Sequence, residues 1–82
     1  FWAPWCGPCR QLGPALEALA AERAGAFALA KVNTDDNQDL AQAFGVSGIP
    51  AVFAVKNGEV VDQFVGLLPP DQLRAFLDRL AP

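Results

Sequence analysis

The sequence predicts an α/β fold, a mixed sheet flanked by helices. Leu12, Leu16 and Leu19 repeat at i, i+4 and i+7 near the start, and Leu73, Phe76, Leu77 and Leu80 repeat at helical spacing near the end. Between them lie two short apolar runs separated by Asn57-Gly58. That dipeptide is a strong signal for a two-residue hairpin, because its turn demands left-handed backbone at both positions.

The first stripe predicts a helix over about residues 6–23, so Cys6 falls at or just before its first turn. Pro14, inside it, removes one backbone donor and is expected to kink it. A strand is expected over 27–33 and a second helix over 37–44, stopped by Gly45. Strands over 51–55 and 60–65 flank the hairpin and are antiparallel. Pro70 and Asp71 suit the first turn of a last helix over about 70–80, whose four apolar residues are core.

The chain has 82 residues, 52% hydrophobic and 18% charged, with a net charge of −3 and no internal repeat, which fits one domain spanning 1–82. The acidic balance and six scattered Lys and Arg argue against nucleic acid as a partner. No segment reaches the ~18 consecutive apolar residues that a membrane-spanning helix needs. The first residue is Phe1 rather than Met, so the sequence is silent on a preceding targeting segment.

Chemistry concentrates in Trp5-Cys6-Gly7-Pro8-Cys9. Only a thiolate attacks a disulfide, and the unpaired N–H groups and dipole at a helix start favour an anion at Cys6. Cys9 lies about one turn on, where it can reach back to Cys6. Cys6 is therefore read as the exposed attacking thiol and Cys9 as the more enclosed resolving one. Gly7 leaves the approach to Cys6 free of side-chain bulk, and Pro8 suits an early helical position. Two other readings are weaker. A zinc site lacks ligands in a chain with two Cys and no His, and a purely structural disulfide across so short a loop would be a poor staple.

The segment from Phe1 to Arg10 resembles the active-site segment of the thioredoxin family. The resemblance continues through Lys31-Val32-Asn33-Thr34-Asp35, Phe44-Gly45-Val46, Gly48-Ile49-Pro50, Lys56-Asn57-Gly58-Glu59 and Val65-Gly66, in the family's order and spacing. Within the family, the stretches from Ile49 to Gly58 and from Gly66 to Pro69 are most similar to the thioredoxin domain of bacterial chaperedoxins, where tetratricopeptide repeats follow.

The resemblance implies a thioredoxin-like fold lacking the family's first strand, first helix and most of its central strand, so the 1–82 domain is expected to be N-terminally incomplete. It also implies a buried aspartate just before the residue matching Phe1, which would assist deprotonation of Cys9, and it pairs Lys31 with that aspartate. Read alone, Lys31 is a snorkelling lysine at a strand end. The implied activity is thiol-disulfide oxidoreduction, reducing protein disulfides through the CGPC motif, with a chaperedoxin-type holdase as alternative. The Gly7-Pro8 spacer resembles the reducing members. No cofactor is implied beyond the redox-active Cys6-Cys9 pair. Implied partners are disulfide-containing client proteins and thioredoxin reductase as electron donor, in the bacterial cytoplasm.

For substrate binding the resemblance implies a cis Ile49-Pro50 peptide against the disulfide, offering backbone groups to an extended client; residue types alone leave Pro50 open between cis and trans. Trp5, Gly7, Pro8, Val65 and Gly66, with Thr34, Gly48 and Leu67, match positions of a flat apolar contact surface. Trp5 reads as covering the site, in keeping with interface enrichment of Trp. Trp2 reads as structural support. Arg10 is either a helper of the thiolate or a solvated first-turn charge.

Overall fold

The computed structural model describes residues 1–81. Helix α1 spans Gly7–Glu22, with Cys6 in extended conformation as its N-cap and Pro8 in the first turn, where a missing N–H costs little. The helix runs through Pro14 and buries Cys9, Leu12, Leu16 and Leu19 along one face. Helix α2, Gln38–Ala43, is a short turn-and-a-half whose chain leaves through Gly45 at φ 69°, a left-handed conformation that favours glycine.

Strands β1 (Ala51–Lys56) and β2 (Glu59–Val65) pair antiparallel, from Ala51 opposite Val65 to Lys56 opposite Glu59. Asn57 at φ 54° and Gly58 at φ 80° make the connecting loop, the two left-handed residues that the Asn-Gly pattern requires. The register shifts between Ala54 and Val55, leaving Val61 as an extra residue bulged on β2. Helix α3 spans Pro70–Leu80.

The expected strand over 27–33 does not form a ladder; it keeps one parallel bridge, between Trp2 and Asn33. A strand forms a ladder only through its neighbour's backbone, and the residues beside this segment are Phe1 and Trp2. Trp2 N–H donates to Val32 O at 2.9 Å and Thr34 N–H donates to Trp2 O at 2.9 Å. On the other side Ala51 N–H donates to Phe1 O at 3.2 Å, and the Phe1 amine donates to Ala51 O at 2.8 Å. Phe1 and Trp2 thus stand between the 27–33 segment and β1, and the mixed sheet is reduced to a two-stranded ladder plus this bridge.

Alternation along β1 separates two apolar layers. Val52 and Ala54, with Phe64 of β2, pack on the buried cluster of Leu12, Leu16, Leu19, Leu73, Phe76 and Leu77 between α1 and α3. Each such Leu or Phe contributes about 1.5–3 kcal/mol relative to exposure. On the opposite face Phe53 meets Phe1 and Phe44, with ring centroids 5.6 and 5.1 Å away. An apolar groove of about 490 Å³ lies between the 28–32 segment and β1, with Leu12, Leu16 and Phe44 in its lining. Among the described residues no helix is long and apolar enough to cross a membrane.

Candidate active site

Cys6 and Cys9 form a disulfide with their Cα atoms 5.3 Å apart. The chain enters α1 extended and turns helical at Gly7, which aims the Cys6 sulfur at the open N-terminus of the helix. Cys9 N–H donates to Cys6 Sγ at 3.2 Å, so this sulfur serves as the helix's capping acceptor. Cys6 N–H in turn donates to Ala3 O at 3.1 Å, fixing the approach of the chain.

The two cysteines are equally enclosed, at 5% exposure each, whereas the sequence suggested an exposed Cys6 and a sheltered Cys9. The reason is packing: Ala3 is fully buried against both, and Trp2 and Ile49 close the cluster. What distinguishes the sulfurs is the hydrogen-bond donor at Cys6.

The Ile49-Pro50 peptide is cis. Pro50 is held from the hairpin side, since Gly66 N–H donates to Pro50 O at 2.8 Å. Gly66 has φ 94°, a conformation that side chains strain to adopt. A Cβ on Gly48 would lie 3.6 Å from the Val65 side chain, so the 48–50 and 65–67 segments run close together. Trp5, Val65 and Leu67 leave large apolar surfaces in solvent at 70%, 65% and 46% exposure, while Gly7 is half-buried and Pro8 exposed. The structure therefore gathers Cys6, Cys9 and Ile49 in one cluster, and brings Pro50 against the end of β2 at Val65 and Gly66.

Thr34 lies at the Trp2 crossing, where its hydroxyl donates to Trp2 O at 3.2 Å. Lys31 pairs with Glu17 at 2.9 Å and sits over the Trp2 ring at 5.4 Å, an exposed cation spreading over apolar surface. Arg10 is exposed. Among the described residues no cluster of three or more His, Cys, Asp or Glu is arranged to hold a metal.

Sequence reasoning missed two members of this site. Ala3 carries no chemical signal, and only burial shows its place beneath the sulfurs. The Asp35 carboxylate accepts the Trp5 indole N–H, with Nε1 3.3 Å from Oδ1 and 3.2 Å from Oδ2. The two residues are 30 apart in sequence, and no local pattern pairs them.

The Thioredoxin family model matches residues 1–79. The chain is 54% identical over 80 residues to mouse "Thioredoxin, mitochondrial", covering 98% of this chain and 48% of that relative. It is 49% identical over 79 residues to the thioredoxin of Haemophilus influenzae, covering 96% of this chain and 74% of the relative. It is 43% identical over 79 residues to rice "Thioredoxin M5, chloroplastic", covering 96% and 46%. The chain thus spans about half the length of its mitochondrial and chloroplastic relatives. A dithiol pair capping a helix, a cis proline in the adjoining loop and a family match along nearly the whole sequence agree: this chain belongs to the thioredoxin family.

Proposed function

We propose that the chain is a protein-disulfide reductase. The observation that carries this reading is the Cys6-Cys9 disulfide at the α1 N-terminus, with a backbone donor already on Cys6 Sγ. In the reduced protein the same N–H and the helix dipole favour negative charge on that sulfur.

The Cys6 thiolate attacks one sulfur of a client disulfide; that S–S bond breaks, the client's other sulfur leaves as a thiolate and takes up a proton, and a mixed disulfide forms at Cys6. Cys9, deprotonated to thiolate, then attacks Cys6 Sγ. The Cys6-Cys9 bond closes, the second client sulfur leaves, and two electrons have passed to the client. Re-reduction needs an external two-electron donor, for which we propose an NADPH-dependent flavoprotein of the thioredoxin reductase class. The exposed faces of Val65 and Leu67, beside the cis Pro50 loop, and of Trp5, next to Cys6, suit an extended polypeptide client.

The reading is tested by NADPH oxidation with thioredoxin reductase and a disulfide-bonded protein substrate. Sustained turnover is expected, and none from a Cys6→Ser protein. Absence of turnover despite a reducible Cys6-Cys9 bond would favour the holdase role implied by the chaperedoxin resemblance. That resemblance rests on the Ile49 to Gly58 and Gly66 to Pro69 stretches, and tetratricopeptide repeats following in a longer gene product would support it. The bacterial cytoplasm is the compartment we propose, because a dithiol that ends each cycle oxidised needs a reducing supply.

A further inference from the structure

We propose that Asp35 is a positioning residue: its carboxylate holds the Trp5 indole in one orientation beside the Cys6-Cys9 disulfide and thereby selects polypeptide disulfides over small ones. The inference deepens the reductase reading and rests on it.

Trp5 is 70% exposed and immediately precedes Cys6, so packing leaves its ring free to choose among rotamers. Its orientation is set by one polar contact, the indole N–H shared between the two Asp35 oxygens at 3.3 and 3.2 Å. A single donor straddling two acceptors tolerates small movements of either group yet fixes the direction in which the ring extends.

Asp35 is itself fixed. Its N–H donates to Asn33 Oδ1 at 2.9 Å, and Asn37 Nδ2 donates to Asn33 O at 2.9 Å, closing the turn on both sides. The turn is anchored to the backbone that leads into the cysteines, because Thr34 gives both its N–H, at 2.9 Å, and its hydroxyl, at 3.2 Å, to Trp2 O. Trp5, Asp35 and the disulfide are thus referred to one rigid stretch of chain. A large ring held still presents contact area at low entropic cost, which favours a partner big enough to touch it. A small disulfide that reaches only the sulfur gains nothing from the ring.

The test is capture rather than turnover, in proteins that also carry Cys9→Ser, where attack by Cys6 stops at the mixed disulfide. Asp35→Ala is expected to lower the second-order rate of capture of oxidised insulin at least threefold, with capture of 5,5′-dithiobis(2-nitrobenzoate) unchanged. Asp35→Asn, which keeps one acceptor, should restore part of the loss. In a Trp5→Phe background, with no indole donor, Asp35→Ala should add nothing. In the oxidised protein the Trp5 indole ¹⁵N–¹H resonance should shift on Asp35→Ala. Equal loss with both disulfides, an undiminished effect in the Trp5→Phe background, or an unmoved indole resonance would each overturn the proposal. Capture of neither disulfide before any change at Asp35 would refute the reductase reading itself, and this inference with it.

Discussion

Cys6 and Cys9 are equally buried, so the division of labour we propose for them rests on polarity rather than access. The Cys9 N–H on Cys6 Sγ supplies it: charge developing on this sulfur meets a donor already in place and a helix end oriented to favour it. Cys6→Ser should therefore abolish disulfide reduction. Cys9→Ser should leave a mixed disulfide at Cys6, visible by intact mass spectrometry as the protein plus one client chain. Equal loss in both variants with no adduct would reverse the roles. At this scale the pairing of the cysteines at a helix start was legible, because it depends on residues local in sequence. The packing of Ala3 and the Asp35–Trp5 hydrogen bond were not, because they are contacts that only folding creates. A carboxylate in a loop reads as solvated charge until the structure sets an indole against it.

The hairpin is the element the sequence specified most tightly. Asn57 and Gly58 both take positive φ, and Lys56 pairs with Glu59 and Val55 with Val60 in the register that a two-residue loop imposes, before the bulge at Val61 shifts the remaining pairs by one. Gly58→Ala should lower the stability of the protein by about 1–2 kcal/mol, the cost of a left-handed conformation for a residue with a Cβ, measured as a shift in the urea midpoint with an unchanged slope. No loss would mean the turn relaxes to another type. The helices were equally legible, since Leu12, Leu16 and Leu19 face the same cluster as Leu73, Phe76 and Leu77. The 27–33 segment was not, for a reason of principle. Apolar composition declares a readiness to pair, whereas the ladder depends on a neighbour whose length the segment does not encode.

Across the whole molecule, the face built by α1, α3 and the hairpin is filled, and the region between 28–32 and β1 is open, with Leu29, Leu40 and Val55 exposed around the groove. The ion pairs, Arg23 with Asp78, Arg79 with Asp62 and Lys31 with Glu17, all involve exposed or half-exposed side chains. Such pairs are worth about 0–1 kcal/mol each, so cohesion rests on the apolar layers. The fold class was legible because it follows from the order of stripes and runs.

The backbone crossing at Phe1 and Trp2 also couples the two halves of the site. Trp2 is bonded to Val32 and Thr34, and Phe1 exchanges bonds with Ala51. Cys6 follows this crossing and Pro50 adjoins Ala51, so the disulfide and the loop beside it are referred to the same few backbone bonds. In native-state hydrogen exchange the amides of Trp2, Thr34 and Ala51 should therefore exchange as one unit, and independent exchange of the three would show the contacts to be uncoupled. A disturbance that enters on one side of the site is felt on the other.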